Sequence, residues 1–298
     1  MNHLEGNMLF IGENINIMGT KIKQAMKERN KQPIQEIARI SRENGVDYLD
    51  INIGPARKDG PQLMEWIIKT IREVVDLPLS LDTTNIEAIK VGLEMEGEKS
   101  LINSIQATPE RMEQLLPLVK KFNCKCIALL IGKEGMPRDA TERSALACEF
   151  SIRADQLGIP HENIYFDPIV LPVRYQQDQV VAAVEFMKMF KEMFPDYRST
   201  CGLSNVSNGV PENLRGLVNR TYLLMLMKYG LDSAIIDAFD TQLIQMVRGE
   251  KEEIKRTVWQ TLDENINVQE LSQQQMDYYK TTCVLSGKSI YSDSWLKL

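Results

Sequence analysis

The feature that most constrains the fold is a regular alternation of short apolar runs with helical patterns along residues 8–248. Eight of the runs have the length of β-strands, and they lie at residues 8–15, 48–53, 77–81, 100–105, 124–131, 163–170, 199–206 and 233–239. Helical patterns lie between and after them, near residues 21–29, 34–44, 61–75, 86–94, 109–121, 141–157, 177–194, 213–229 and 240–248. Such alternation is typical of parallel strands joined by helices.

This count of strand–helix units predicts a (β/α)₈ TIM barrel, an α/β fold. An open doubly wound sheet is the alternative, but neither G-x-G-x-x-G nor G-x-x-x-x-G-K-[ST] follows any apolar run. We expect one domain over residues 1–298, with residues 249–275 as an inserted surface segment of one or two helices. That segment is charged and rich in glutamine, and a docking surface for a partner is its alternative role.

Histidine is scarce, because the chain has only His3 and His161. A histidine-rich zinc site is therefore excluded, and a Ser-His-Asp or Cys-His triad would need His161. His161 precedes the sixth predicted strand, which places it at the amino-terminal face of the barrel, away from the usual active site. We expect both histidines to be surface residues.

Charge, cysteine content and the amino terminus bear on location and partners. Lys and Arg number 35 against 41 Asp and Glu, so the net charge is −6, which argues against a broad nucleic-acid surface. No apolar run reaches the roughly 18 residues of a membrane span, and the first residues lack the pattern of a signal peptide. Five cysteines without C-x-x-C spacing indicate reduced thiols. We expect a cytoplasmic protein with no membrane and no nucleic-acid partner.

An Asp, Asn or Glu side chain closes seven of the eight predicted strands, and no strand ends in His or Cys. Active sites of TIM barrels form at these ends. Asp and Asn are also common at turns and helix caps, and this is the alternative for each residue alone. However, Asn103 and Asn205 precede their helices by several residues, and Asp167 is followed by Pro168. A mixture of amide and carboxylate groups suits a flat heterocycle that carries both N–H donors and a carbonyl acceptor.

The same carboxylates could instead converge on a metal ion. No two acidic residues have helical i, i+4 spacing with a histidine, so we expect no catalytic metal.

Seven motifs in order resemble one family. They are IGENIN at 11–16, LDINIGPA at 49–56, LDTTNIEAI at 81–89, INS at 102–104, DPIVLP at 167–172, GLSNVS at 202–207 and NRTYL at 219–223. Together they resemble the methyltetrahydrofolate:corrinoid protein methyltransferases, which are pterin-binding TIM barrels. The resemblance covers residues 8–240 and the last twenty or so residues. Dihydropteroate synthase and the folate domain of methionine synthase resemble the chain more distantly.

The resemblance implies roles for individual residues. Asp82, Asn103 and Asp167 match residues that hold the pterin, and Asn205 matches the catalytic asparagine near N5 of the folate. Arg215 matches a folate-contacting arginine, although the loop before it is longer here. Further substrate-binding positions are Ser204, Asn52 and Asn208, the last of which stands where some members have glutamine. The chain also departs from the family at Asn14, where arginine is common.

The resemblance also implies the reaction and the partner. A methyl group would move between N5 of tetrahydrofolate or 5-methyltetrahydrofolate and the cobalt of a corrinoid (cobalamin). A partner protein would carry the corrinoid, because the chain has no D-x-H-x-x-G motif. Members of this family commonly form homodimers. The direction stays open, with a demethylase system weakly favoured over the acetyl-CoA pathway. Alternatives are a folate-binding barrel without catalysis and a dihydropteroate synthase-like transferase.

Overall fold

The computed structural model describes residues 8–297, and within them eight strands form one parallel sheet in the order β7-β6-β5-β4-β3-β2-β1-β8. The strands are β1 (Leu9–Asn16), β2 (Tyr48–Asn52), β3 (Leu79–Asp82), β4 (Leu101–Gln106), β5 (Lys125–Leu129), β6 (Ile164–Asp167), β7 (Arg198–Ser199) and β8 (Ser233–Ile236). The two ends of the sheet meet through a parallel bridge between Gly202 and Ile235, where Ile235 N donates to Cys201 O at 2.8 Å. The predicted TIM barrel is confirmed.

Helices follow the strands and cover the outside of the barrel. They are α1 (Thr20–Glu28), α2 (Lys31–Glu43), α3 (Gly60–Arg72), α4 (Ile86–Glu96), α5 (Pro109–Phe122), α6 (Ala140–Gln156), α7 (Val173–Met193), α8 (Glu212–Lys228), α9 (Thr241–Val247), α10 (Glu252–Leu262) and α11 (Gln273–Leu285). Thr108 caps α5, since its side chain accepts from Arg111 N. Among the described residues no helix is long and apolar enough to cross a membrane.

The interior of the barrel changes from apolar to polar along the strands. Near the amino-terminal end five side chains pack into a separate buried cluster, namely Ile11, Tyr48, Leu101, Ile127 and Tyr165. Lys125 Nζ also donates to Tyr48 OH at 2.7 Å. Side chains alternate across a strand, so residues two and four positions further on face the same interior. This cluster closes the floor of the barrel and leaves its opposite mouth to polar groups.

The seventh strand differs from the sequence prediction. A strand was expected over residues 199–206, but β7 ends at Ser199 and residues Leu203–Ser207 form a 3₁₀ turn. Leu203 and Val206 are both buried. A 3₁₀ helix has three residues per turn, so it places positions i and i+3 on one side and buries this pair as well as a strand would.

The carboxyl-terminal segment lies against α8. Ile254 and Val258 of α10 are buried, and Trp259 Nε1 donates to Leu224 O at 2.8 Å. Beyond α11 the chain folds back, and the buried Trp295 donates to Thr281 Oγ1 at 3.0 Å. Residues 249–275 therefore cover part of the barrel wall as well as exposing a charged face.

The two histidines lie away from the mouth or outside the described residues. His161 occupies a 3₁₀ turn directly before β6, stacks on Tyr197 and pairs with Asp155 at 2.7 Å. It is therefore at the amino-terminal face, as predicted. His3 lies outside the described residues.

Candidate functional site

Strand register brings three of the predicted residues side by side at the carboxyl-terminal mouth. Asn52 is the register partner of Asp82, and Asp82 is the register partner of Asn103. Asp167 ends β6 opposite Leu129 of β5. These side chains share the inward face of their strands, so they form an arc around the mouth.

Asn52 orients Asp82. The Asn52 amide nitrogen donates to Asp82 Oδ2, and the Asn52 side-chain oxygen accepts from Gly54 N at 3.0 Å. Both side-chain atoms of Asn52 are therefore engaged with the protein. The structure assigns this residue to the support of Asp82.

Asp50 lies one layer below the arc, and the sequence prediction did not include it among the site residues. It is only 2% exposed, and its Oδ1 accepts from Ser80 Oγ at 2.5 Å and from Asn103 Nδ2 at 2.9 Å. The Asn103 amide nitrogen points to Asp50, so its side-chain oxygen points away from Asp50. No donor among the described residues reaches Asn103 Oδ1. That oxygen remains available as an acceptor at the mouth.

Asp50 and Asp82 are buried neighbours, and their carboxyl groups act on each other's protonation. Burial raises the pKa of each above the ordinary aspartate value, and the charge of Asp50 raises the pKa of Asp82 further. Two neighbouring buried carboxyl groups cannot both ionise cheaply. The pair therefore retains a proton close to neutral pH.

Asp167 is the third carboxyl group of the arc. It is 6% exposed, and its Oδ1 accepts from Ile169 N at 2.7 Å. Burial raises the pKa of Asp167 to about 6, while hydrogen bonds from backbone N–H groups oppose that rise. Near neutral pH this side chain is therefore an ionised acceptor, in contrast to Asp82.

Glu13 approaches the site from β1, and the sequence prediction also left it out. Ser204 Oγ donates to Glu13 Oε1, which joins the first strand to the 3₁₀ turn after β7. Burial raises the pKa of Glu13 to about 7; the nearby Asp237 and Asp50 add to this and Arg215 opposes it. Glu13 can therefore hold or release a proton near neutral pH.

The remaining predicted residues lie on the 3₁₀ turn after β7 and on α8. Asn205 and Asn208 are exposed, with Asn208 Nδ2 and Asn205 Oδ1 3.4 Å apart. Arg215 Nε donates to Ser207 Oγ at 3.2 Å, so α8 holds the turn. Asn205 is thus at the open side of the mouth, while the carboxyl groups lie deeper.

A signal for one of the two missed residues, Asp50, was present in the sequence. Asp50 lies two positions before Asn52 and two after Tyr48, and alternation places all three inside the barrel. The sequence prediction considered polar residues at strand ends without applying this alternation. Alternation of side chains along β2 predicts that Asp50 faces the interior. The register of β1 is irregular between Gly12 and Ile15, so alternation does not predict the direction of Glu13.

Comparison with known proteins points to one family. Residues 12–237 match the family model described as pterin binding enzyme. The chain is 26% identical to a methylcorrinoid:tetrahydrofolate methyltransferase of Eubacterium limosum over 232 residues, which cover 77% of this chain and 85% of that protein. It is 28% identical over 246 residues to the methionine synthase of Mycobacterium tuberculosis, and these cover 78% of this chain but 21% of that protein.

A solved structure shares the fold. Dihydropteroate synthase of Xanthomonas albilineans, in complex with 7,8-dihydropteroate, matches with a TM-score of 0.61 and 17% identity. The match covers 88% of this chain and 95% of that one. At this identity the likeness concerns the fold alone.

Proposed function

Because this chain belongs to the pterin binding enzyme family, we propose that it transfers a methyl group between N5 of tetrahydrofolate and the cobalt of a corrinoid. The observation that carries the proposal is the arc of inward amide and carboxylate groups at the mouth, Asn52, Asp82, Asn103 and Asp167. The similarity to a methylcorrinoid:tetrahydrofolate methyltransferase supports this reaction among those of the family.

The arc fits a pterin by its donors and acceptors. A pterin presents ring and amino N–H groups together with a carbonyl oxygen. Asn103 Oδ1 has no donor among the described residues, and Asp167 is an ionised acceptor. These oxygens would accept from the pterin, and binding in a buried site would fix its orientation. Asp82 would join them once its shared proton has left.

Asn205 would act at N5, the atom that carries the methyl group. The cobalt supplies a strong nucleophile in one direction and a methyl donor in the other. Departure of a tertiary amine from a methyl group needs a proton or a strong hydrogen bond at the nitrogen. An amide can offer either its N–H or its oxygen, so Asn205 would hydrogen-bond N5 in both protonation states. Glu13 lies on the same side of the mouth through Ser204 and would exchange the proton through water.

We expect a partner protein to carry the corrinoid, because the chain lacks the D-x-H-x-x-G cobalt-ligand motif. The mouth is open at the exposed Asn205 and Asn208, where such a partner would approach. The resemblance also implies a homodimer, and the cysteine usage favours a cytoplasmic location. Sedimentation analysis would then give a species of twice the chain mass.

The test is a methyl-transfer assay with tetrahydrofolate and methylcobalamin, and with 5-methyltetrahydrofolate and cob(I)alamin in reverse. The wild-type protein should turn over in both. Asn205→Ala should lower the rate about 10²-fold, as expected when a positioned hydrogen bond is lost from the transition state. Asn265→Ala, an exposed asparagine after α10, is the matched control and should keep the full rate.

Three outcomes would contradict parts of the proposal. Folate binding without turnover would indicate a barrel that binds but does not catalyse. Formation of dihydropteroate from a pterin pyrophosphate would indicate the dihydropteroate synthase reaction. Full activity of Asn205→Ala would remove Asn205 from the mechanism.

A further inference from the structure

Arg143 of α6 is the largest side chain buried completely in the described part of the protein. Its Nε donates to Pro168 O at 2.7 Å, one guanidinium nitrogen donates to Asp139 O at 3.1 Å, and the other donates to Gln179 Oε1 at 3.0 Å. All three acceptors are neutral. Within residues 8–297 no carboxylate lies within ion-pair distance of Arg143. A buried cation without a contacting anion is costly and calls for a specific reason.

The first acceptor, Pro168 O, belongs to the turn that follows Asp167. In that turn Ile169 has a φ of 64°, a left-handed conformation that a β-branched residue rarely adopts. Two contacts hold it, the hydrogen bond from Ile169 N to Asp167 Oδ1 and the hydrogen bond from Arg143 Nε to Pro168 O. Arg143 therefore fixes the backbone on which the Asp167 carboxylate rests.

The charge of Arg143 also acts on Asp167. The carboxylates that favour the charged form of Arg143 are Asp139, Asp167 and Glu142, and of these only Asp167 is buried. The other ionisable groups packed around Asp167 are Tyr222 of α8 and Cys201 after β7. Burial raises the pKa of both, so they are neutral at ordinary pH. Arg143 is the one cation that faces Asp167 among the described residues.

We propose that Arg143 is a positioning residue that holds the turn at residues 167–169 and keeps Asp167 ionised as an acceptor for the pterin. It reaches this turn from the outer helix layer and does not touch the substrate. The inference rests on the proposed folate binding. Arg143 would place a buried positive charge behind the arc, which the residues at the strand ends do not provide.

The test is the pH dependence of 5-methyltetrahydrofolate binding, measured by calorimetric titration between pH 5.5 and 8.5. Affinity should fall below the pKa of Asp167 in the wild-type protein, because a protonated carboxyl group accepts poorly. Asp167→Asn should abolish that part of the profile, which separates it from the titrations of Glu13 and of the Asp50 and Asp82 pair. Arg143→Met should move it upward, because the charge of Arg143 lowers the pKa of Asp167 in addition to the backbone hydrogen bonds from Ile169 and Gly202.

Matched variants separate charge from shape. Arg143→Lys retains the charge but has fewer donors, so the profile should stay in place while affinity at pH 8 falls. Gln179→Leu removes one acceptor of the guanidinium and should also leave the profile in place. Arg143→Gln is a second neutral variant, for use if Arg143→Met does not fold. Its side chain keeps a donor for Pro168 O but has no charge, so the profile should move upward.

The results distinguish this inference from the proposed function. A folded neutral variant with an unmoved profile overturns the inference, and so does an equal shift in Arg143→Lys or Gln179→Leu. If the wild-type protein binds no folate, the proposed function itself fails.

Discussion

At the scale of single residues, the site depends on how burial distributes protons among four carboxyl groups. Asp50 and Asp82 share a proton because they are buried neighbours and because Asn52, Ser80 and Asn103 around them are neutral. Asp167 differs because backbone N–H groups and Arg143 favour its ionised form. The same residue type therefore supplies a protonated pair on one side of the mouth and an anion on the other.

This proton distribution predicts how stability depends on pH. In the folded protein the pKa of Asp82 is raised to about 8, so between about pH 4 and about pH 8 the folded state holds a proton that the unfolded chain has released. The free energy of unfolding should therefore fall as the pH rises through this window. Asp82→Asn should weaken that dependence. It should also raise Tm at pH 8 by about 2–4 °C for each 1 kcal/mol of unfavourable free energy removed with the buried carboxylate.

Calorimetric unfolding of the folate-free protein from pH 5 to pH 8 checks this expectation. Asp178→Asn, on the exposed side of α7, changes the same chemical group and should leave the slope as it is. An identical slope in the Asp82 variant and the wild-type protein would show that the pair carries no shared proton.

At the scale of elements, most strands and helices could be predicted because their patterns are local. The strand predicted at residues 77–81 lies at 79–82, and the helix predicted at 109–121 lies at 109–122, because an apolar run and a helical repeat are local signals. The turn at Leu203–Ser207 could not be predicted in this way, because its apolar spacing fits two structures and the choice depends on how the barrel closes. At the site, alternation predicts that Asp50 faces the interior, but its hydrogen bond with Asn103 depends on how the strands are aligned and could not be predicted.

Packing of α4 on β3 predicts a site-specific loss of stability. A Cβ atom on Gly92 would lie 2.7 Å from the Leu81 side chain, which is fully buried and precedes Asp82. Gly92→Val should destabilise the protein by about 1–3 kcal/mol, as overpacking of a core does. Urea unfolding measures this, and Glu94→Val, on the exposed side of the same helix, controls for the helix propensity of valine. Equal losses in the two variants would rule out the packing explanation.

At the scale of the whole molecule, the barrel has one weak seam. Strand β7 contributes only two residues, and between the described ends of the sheet β7 and β8 are joined through the bridge at Gly202. The turn that carries Ser204 and Asn205 lies at this seam. Opening there would displace the residue proposed to act at N5, whereas the register of β2 and β3 would stay intact.

Amide hydrogen exchange should therefore be faster at residues 198–207 than at residues 48–53 in the folate-free protein. A single backbone bridge and the side-chain hydrogen bonds of Ser199 with Asp232 and Ser233 stand at the seam in place of a strand ladder. Saturation with 5-methyltetrahydrofolate should slow exchange at the seam and leave residues 48–53 nearly unchanged. Uniform protection in both states would contradict this view of the seam.

The closed floor of the barrel has a kinetic consequence. Tyr48, Leu101, Ile127 and Tyr165 fill the interior below the polar arc, so in the proposed reaction the folate would enter and leave by the mouth that the proposed corrinoid protein would also cover. Under that proposal the two would bind in a fixed order, with the folate first and the corrinoid protein second. The folate product would leave only after the partner has dissociated, and turnover should slow when the partner is present in large excess.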